Sequence, residues 1–445
     1  MRRLLTILIL MLLVFPCSAI RAGDWPQFRG PDGQGHAVGA DWPLHWSERE
    51  NDHIVWKTPI PGRGWSSPVV SGSHIWLTTA LDTPASETMA KQVLQRKGKD
   101  VPSPVVASHV TLKAVCVDRG SGRLVKEVTL LEVGEPVVIS AANGYASPTP
   151  VLDAGRLYCD FGAMGTVCLA EDTGEIVWKR QVPVDHQVGP GSSPVVYGSR
   201  LILVRDGIDE QYLIALDKTT GDTVWKTKRP GIGAASPSFC KAFSTPLLLQ
   251  FNGHEQLIST GSRWIAAYEP GTGKELWRVD TGPSFSNSTR PVSDGNLVFA
   301  GTSYSASGMR AIRLGGSGDV TATHVLWKCQ KAVPKLSSPL LAGDELYMVS
   351  DNGIASCLDV HNGNLLWTQR LPGGYTASPV FAQGRVYFFA QDGKTTVTRS
   401  GKQYERLAEN QIDGRVQASP ACVDHCIILR TEHHLYCIGL PVQPK

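Results

Sequence analysis

The chain has 445 residues, of which 42% are hydrophobic, and 43 basic against 40 acidic residues give a formal net charge of +3. Removal of residues 1–22 would take away Arg2, Arg3 and Arg21 but no acid, leaving 40 residues of each sign. A neutral chain without a run of Lys or Arg argues against a nucleic-acid-binding or anionic-membrane-binding protein.

The first 22 residues have the layout of a secretory signal. Two arginines precede the short apolar stretch 4–16, and small residues follow at Ala19 and Ala22, either of which could precede the cleavage point. Cys17 lacks the small residue expected before a lipidated cysteine, and the apolar stretch is short for a membrane span. We therefore expect an exported protein, periplasmic or secreted, without a membrane span after signal removal. An uncleaved N-terminal anchor is the alternative.

The remainder, residues 23–445, is a repeat array. Eight dipeptides that end in Pro each open a short apolar run, at intervals of 40 to 52 residues apart from one interval of 80. These openers are Ser67-Pro68, Ser147-Pro148, Ser193-Pro194, Thr245-Pro246, Arg290-Pro291, Ser338-Pro339, Ser378-Pro379 and Ser419-Pro420. Repeats of this length built from short strands predict the four-stranded antiparallel blades of a β-propeller.

A second run closes each unit, and six of the eight copies carry a Trp in a run of the type Val-Trp-Lys. The tryptophans of these closing runs are Trp56, Trp178, Trp225, Trp277, Trp327 and Trp367, and two further copies without Trp lie at residues 126–128 and 406–407. In four units the Trp follows a turn Gly by four residues, as in Gly363 to Trp367. We interpret these tryptophans as structural rings packed between neighbouring blades.

The first closing run precedes the first opener, whereas the last unit stops after three strands. Eight openers therefore match eight closers only if the strand around Trp56 completes the C-terminal blade. This arrangement removes exposed sheet edges. We predict an all-β fold with one eight-bladed ring as its single domain, and an insertion in blade one at about residues 80–109, where residues 86–97 could form a short helix.

Nine cysteines remain after signal removal, an odd number for an exported chain. Cys116, Cys168, Cys357 and Cys437 occupy the third-strand position where other units carry Ala, and this indicates small core residues. A two-residue loop at residues 163–164 would pair Cys159 with Cys168, so a disulfide is possible there, subject to geometry. The His and Cys residues of the last blade match no standard zinc spacing, and we predict no metal site.

Several segments together resemble a known family. They are Asp24-Trp25-Pro26-Gln27-Phe28-Arg29-Gly30-Pro31, Trp65-Ser66-Ser67-Pro68, residues 143–150, Phe161-Gly162 and the Asp-to-Gly-to-Trp repeats. The chain resembles the exported PQQ-like, or BamB-like, β-propeller proteins that are abundant in planctomycete-type bacteria. The resemblance covers nearly the whole chain after residue 22. It implies an eight-bladed ring and export, but it says little about the function of the protein.

Two relatives of this repeat have defined roles. Quinoprotein alcohol dehydrogenases hold pyrroloquinoline quinone and calcium and characteristically carry adjacent cysteines, which this sequence lacks. No Glu/Asn/Asp calcium set or catalytic Asp can be matched either, so we expect no cofactor. BamB is a lipoprotein scaffold, and the missing lipobox counts against a literal equivalent. The sequence also lacks Gly-x-Ser-x-Gly, His-Glu-x-x-His and a phosphate-binding loop, and we assign no catalytic residue.

A ligand site in a propeller is expected on the face where each closer connects to the next opener, around the central channel. The polar and aromatic residues predicted there are Trp65, Asn143, Tyr145, Arg205, Asp206, Asp209 and Arg229. The structural alternative is a hairpin salt bridge between Arg205 and Asp206 and a loop cap at Asn143. Long loops on a rigid ring commonly bind ligands, and blade one has the largest insertion.

Two functions stay open. The first is a non-catalytic, monomeric binding or scaffolding propeller with a protein or polymer partner in the cell envelope. The second is a quinoprotein-type dehydrogenase or other small-molecule enzyme that uses the channel mouth. Fold analogy alone does not decide between them.

Overall fold

The computed structural model describes residues 23–39, 41–97 and 100–439. The predicted signal peptide at residues 1–22 lies outside the described residues and stays a prediction. Eight antiparallel four-stranded sheets form a ring, which confirms the predicted propeller. Within the described part of the chain, none of the helices has the length and apolarity needed to span a bilayer.

The strands of each blade follow chain order from the channel outward. Blade one contains Val69–Ser71, His74–Pro84, Ala107–Asp118 and Leu124–Gly134. Blade two contains Val151–Asp153, Arg156–Asp160, Thr166–Ala170 and Ile176–Arg180. Blade three contains Val195–Tyr197, Arg200–Asp206, Gln211–Asp217 and Thr223–Lys228. Blade four contains Leu247–Phe251, His254–Thr260, Trp264–Tyr268 and Glu275–Asp280, extended by the parallel Gly318–Asp319.

The second half of the ring continues the same order. Blade five contains Val292–Ser293, Leu297–Thr302, Gly308–Arg313 and Val325–Cys329. Blade six contains Leu340–Ala342, Glu345–Val349, Ile354–Asp359 and Leu365–Arg370. Blade seven contains Val380–Ala382, Arg385–Phe389, Lys394–Arg399 and Arg406–Gln411. Blade eight contains Ala421–Val423, Cys426–Arg430, His434–Gly439 and the N-terminal strand Ile54–Pro59.

The ring closes as the sequence predicts. The N-terminal strand pairs antiparallel with the last strand of the chain, and Trp56 lies opposite Cys437. Seven of the eight predicted openers lie directly before the first strand of their blade. The opener predicted for blade two, Ser147-Pro148, is wrong by two residues. Blade two begins at Val151, immediately after Thr149-Pro150, and the Thr149 hydroxyl makes the contact that the Ser and Thr openers make elsewhere.

The closing tryptophans pack between blades, as predicted. Trp56, Trp178, Trp225, Trp327 and Trp367 each donate their indole N–H to a backbone carbonyl in a turn of the next blade, over 2.8–3.2 Å. The turn glycine makes room for the ring: Gly363 has φ 71°, and a Cβ there would lie 2.6 Å from the Trp327 ring. Trp277 differs because it donates to the Gln256 side chain of its own blade.

The third-strand cysteines are small core residues opposite these rings, since Cys168 pairs with Trp178 and Cys357 with Trp367. The predicted pairing of Cys159 with Cys168 is wrong. A 3-10 turn at Gly162–Met164 shifts the register by one residue, so Cys159 lies opposite Val167. A one-residue shift turns side chains to opposite faces, and the two thiols lie in different core clusters.

Smaller elements decorate the face that carries the closer-to-opener connections. They include the helix Glu87–Lys97, which confirms the predicted helix in the blade-one insertion, and the 3-10 turn Pro237–Phe239. The helix Thr321–His324 is not among them, because it connects the third and fourth strands of blade five. Two short sheets join Pro104–Val105 to Ile139–Ser140 and Ser284–Phe285 to Tyr304–Ser305. These pieces surround the entrance of the central channel.

Candidate functional site at the channel mouth

A ring of hydroxyl groups surrounds the channel at the opener residues. In six of the eight blades, the residue before the opener Pro accepts a hydrogen bond at its side-chain oxygen from the backbone N–H of the previous blade's opener, whereas Arg290 has no hydroxyl. These bonds run from the Ser67 amide to Thr149, Thr149 to Ser193, Ser193 to Thr245, Arg290 to Ser338, Ser338 to Ser378 and Ser378 to Ser419, over 2.9–3.0 Å. The Ser-Pro and Thr-Pro repeat therefore joins neighbouring blades around the channel.

The N-terminal segment closes one end of the channel. It crosses the channel from blade one, where Trp25 pairs with Val70, to blade seven, where the Ala37 amide donates to the Phe381 carbonyl. Between these points Arg29 donates to the Pro339 carbonyl of blade six. First strands run from their opener away from the mouth, so these contacts lie at the opposite end. The sequence motif around Trp25 and Arg29 is therefore a plug.

Two buried arginines hold the plug in the ring. Arg29 and Arg290 are each 1% exposed, and Arg290 donates to the Phe28 carbonyl at 2.5 Å. Burial lowers the pKa of Arg29 to about 9 and that of Arg290 to about 10, and each guanidinium donates its hydrogen bonds mainly to backbone carbonyls. The Phe28 ring on the same segment lines the channel cavity from this closed end.

The other end opens into a cavity of about 690 Å³, within the size range of about 300–1,000 Å³ typical of ligand pockets. Its wall combines the hydroxyl ring with residues from all eight closer-to-opener connections, from the blade-one insertion and from a hairpin of blade five. The lining residues away from the hydroxyl ring include Phe28, Trp65, Asp100, Asn143, Phe239, Lys241, Phe243, Phe285, Tyr304, Leu336 and Gln417. Within the described residues, Asp100 and Lys241 are the carboxylate and the amine of this lining.

Three aromatic rings form a shelf on one side of the mouth. Phe239 and Phe285 have ring centroids 4.7 Å apart, and Phe285 and Tyr304 are stacked with centroids 5.4 Å apart. The two-stranded sheet fixes the second pair, since Phe285 lies directly opposite Tyr304. Phe239 remains 41% exposed and Tyr304 38% exposed. This shelf of Phe239, Phe285 and Tyr304 offers an apolar surface inside a polar cavity.

Lys241 lies behind the aromatic shelf. Its amine donates to the Gln187 side chain and to the Ser238 carbonyl, both at 2.6 Å, and lies 5.6 Å from the centre of the Phe285 ring. Burial lowers the pKa of this amine, because the charged form loses hydration. The residue is anchored by neutral oxygens and carries a charge close to the cavity.

The structure separates the predicted face residues into two groups. Trp65 and Asn143 line the mouth, where Arg415 stacks 5.7 Å above the Trp65 ring. Asn143 also joins loops, since its amide donates to the Val188 and Pro190 carbonyls. Asp209 is exposed, and its carboxylate accepts from the Asp185 amide. These three residues lie on the predicted face.

The other four are interior residues, which corrects their placement on the exposed face. Arg205 pairs with Asp160 of blade two at 2.6 Å, and Asp206 pairs with Arg229 at 2.7 Å. The side chains of both pairs are at most 2% exposed. The proposed hairpin salt bridge between Arg205 and Asp206 is also wrong. Buried charges need a close partner, and here Asp160 comes from the second strand of blade two, whereas Arg229 follows the fourth strand of blade three.

Tyr145 belongs to the blade-one core rather than the mouth, with 3% of its surface exposed. Burial raises the pKa of its hydroxyl to about 12. The rings that do reach the cavity were missed. Each follows a serine in a connection, as Ser238-Phe239, Ser284-Phe285 and Ser303-Tyr304. An aromatic residue in a polar loop at the mouth was the available signal.

The comparisons with known proteins agree on the architecture. A family profile described as outer membrane protein assembly factor BamB matches residues 111–369 and 317–415, more than half of the chain. The chain belongs to this PQQ-like repeat family. No curated protein matches the sequence.

Among solved structures, BamB from Moraxella catarrhalis is 11% identical, with a TM-score of 0.56 over 87% of this chain and 99% of that one. The quinohemoprotein alcohol dehydrogenase ADHIIG from Pseudomonas putida HK5 is also 11% identical, with a TM-score of 0.61 over 95% and 81%. The corresponding Comamonas testosteroni enzyme scores 0.61 at 11% identity over 96% and 82%. At such identities these likenesses show the fold alone.

The residues of the mouth do not fit the quinone cofactor implied by the dehydrogenase neighbours. Pyrroloquinoline quinone carries several carboxylates, whereas Lys241 is the amine of the described lining and Asp100 its carboxylate. Within the described residues, no group of three or more His, Cys, Asp and Glu side chains is arranged to hold a metal ion. Adjacent cysteines are missing from the whole sequence.

Proposed function

We propose that this protein is an exported, non-catalytic binding propeller of the cell envelope that captures its ligand or partner at the open channel mouth. The observation that carries the proposal is the asymmetry of the channel. One end is filled by the N-terminal plug, and the other presents the exposed aromatic shelf above a cavity. Exposed aromatic side chains next to a concave surface are typical of binding sites.

The arrangement of ionisable groups supports binding rather than catalysis. Lys241 is bonded to an amide oxygen and a carbonyl, so no general base contacts it among the described residues. The hydroxyls of the opener ring accept bonds from backbone amides instead of facing a histidine. A nucleophile needs an adjacent base that is itself oriented by a third group.

The test is capture from envelope extract of the source organism. Immobilised wild-type protein should retain a partner or ligand that the double variant Phe285→Ala, Tyr304→Ala does not retain. Tyr197→Ala is the matched control, because Tyr197 lies in the first strand of blade three at the plugged end. Equal capture by all three proteins would contradict a site at the mouth.

A quinoprotein-type dehydrogenase is the second candidate, because quinohemoprotein alcohol dehydrogenases share this fold. Incubation with pyrroloquinoline quinone and calcium, followed by dye-linked alcohol oxidation, tests it. The binding account expects no turnover above a protein-free control. Turnover that is lost in Lys241→Ala would establish the enzyme instead.

A further inference from the structure

We infer that the channel mouth binds a neutral saccharide chain, with the aromatic shelf stacking against sugar rings. This inference rests on the proposed function and names the chemical class of its ligand. It depends on three features of the mouth: the exposed rings of the shelf, the hydroxyl-rich wall and the balanced charges of the lining residues.

The shelf has the geometry that stacking requires. Phe285 stacks on Tyr304 with an inclination of 22°, and Phe239 packs on Phe285 with an inclination of 32°, so the three rings overlap in a short stack. The exposed parts of Phe239 and Tyr304 are the surfaces that this stack offers to a ligand. The electron-rich face of an aromatic ring attracts the positive edges of C–H groups. A pyranose ring presents such C–H groups on one face and hydroxyls around its rim, so it can stack while its hydroxyls point to the wall.

The backbone holds the shelf before any ligand arrives. The Ser286 amide donates to the Lys241 carbonyl at 2.7 Å and joins two connections. Ser286 and Ser305, which follow Phe285 and Tyr304, have φ of 52° and 66°. Left-handed conformations at non-glycine residues are uncommon and concentrate at functional sites. The cavity wall therefore keeps two of the stacking rings in place.

The wall opposite the shelf suits a ligand that both donates and accepts hydrogen bonds. Serine and threonine hydroxyls from the opener ring and the loops predominate, together with the Asn143 and Gln417 amides. These groups can act in either direction, as sugar hydroxyls do. Trp65 supplies an additional half-buried ring at the mouth.

Charge argues against a polyanionic ligand. Among the described lining residues, the carboxylate of Asp100 and the amine of Lys241 balance, and the nearby cations Lys335 and Arg415 lie over the Tyr304 and Trp65 rings. A polyanion such as an acidic glycan or nucleic acid needs several cations that can reach its charges. A neutral polymer with apolar ring faces satisfies this wall without leaving a charge unpaired.

The experiment is affinity electrophoresis of purified protein in native gels containing hydroxyethylcellulose, galactomannan, xyloglucan or laminarin, with alginate as the acidic comparison. We expect retardation by at least one neutral polysaccharide. Phe239→Ala and Tyr304→Ala should weaken it by about ten-fold or more, because each variant loses an exposed ring on which a ligand ring can stack. Both side chains are partly exposed, so the variants should keep the wild-type melting curve.

Tyr197→Ala, at the plugged end, should be retarded like wild type. No retardation by any neutral polysaccharide, or retardation by alginate alone, would overturn the inference. If envelope extract then yields a protein whose capture depends on Phe285 and Tyr304, the proposed function stands and the saccharide class fails. If nothing is captured either, both fail.

Discussion

The two ends of the central channel are built from the same eight repeats and differ in almost every chemical respect. At the plugged end, Arg29 and Arg290 are buried and their bonds go to backbone carbonyls. At the mouth, Phe239 and Tyr304 keep more than a third of their surface exposed. The repeat supplies the ring, whereas the segments outside the repeat decide which end is available for binding.

The largest effect should come from removing the segment that both plugs and closes the ring. Deletion of residues 23–60 takes away the plug and the strand Ile54–Pro59 that pairs with His434–Gly439. Exposed strand edges promote aggregation. We expect aggregated or poorly cooperative protein in size-exclusion chromatography and thermal melting. A monomer with the wild-type melting curve would contradict ring closure by this strand.

A smaller but still large loss should follow from Trp178→Ala in the blade contacts. The ring is 8% exposed and its indole N–H donates to the Lys218 carbonyl of the next blade. Truncation of a buried Trp typically costs about 3–5 kcal/mol. Urea denaturation should show this decrease in the free energy of unfolding, while retention of the mouth ligand below the transition stays unchanged. A cost under about 1 kcal/mol would mean that the ring does not hold the blades together.

The buried histidine beneath the mouth should give the protein a specific acid sensitivity. Burial lowers the pKa of His186 from 6.5 to about 3, so below pH 6.5 the unfolded chain binds a proton that the folded chain excludes. The stabilisation is complete above about pH 6.5 and is lost as the pH falls toward 3, at about 1.4 kcal/mol per pH unit.

His186→Leu removes this titration, and its unfolding free energy should fall less steeply between pH 6.5 and 4 than that of wild type. Denaturant titrations at half-unit pH intervals measure both slopes. Parallel curves would show that His186 is protonated in the folded protein. Aggregation of the variant at all pH values would point to a packing defect, which a melt at pH 8 detects.

The smallest effect on stability should come from the blade-one insertion. Replacement of residues 86–105 by a two-residue turn keeps the pair Pro84 and Ala107 and removes the helix and its small cluster with Val138. We expect a melting temperature close to wild type and weaker ligand capture, because Asp100 and Pro102 leave the mouth. Unfolding comparable to Trp178→Ala would make the insertion part of the core instead.

Blade number, ring closure and the packing of the tryptophans followed from local patterns that repeat, since each strand and turn is specified within its own unit. The side chains of Arg205, Asp206 and Arg229 could not be placed in the same way. Their position near strand ends suggested that they are exposed. Each is instead buried beside an oppositely charged partner that is distant in the sequence, such as Asp160 of blade two for Arg205. The one-residue shift at Cys159 arose from a 3-10 turn that has no strong sequence marker.

That the three rings of the aromatic shelf meet could not be predicted from the sequence, for a related reason. Phe239 and Phe285 lie in successive blade connections, and Tyr304 lies in a hairpin of blade five. They meet because the ring brings successive loops to the same rim, and the short sheet that aligns two of them is not part of the repeat. Non-local contacts of this kind depend on the assembled ring.

The most direct test of a binding site at the mouth is photo-crosslinking in the living source organism with p-benzoylphenylalanine, which reacts with C–H bonds of proteins and polysaccharides alike. Leu336, 38% exposed at the mouth, and His254, exposed at the start of the second strand of blade four at the plugged end, are replaced one at a time. The account predicts an irradiation-dependent shift in electrophoretic mobility at position 336 and none at 254. A shift at 254 with none at 336 would place the binding surface at the other end of the channel.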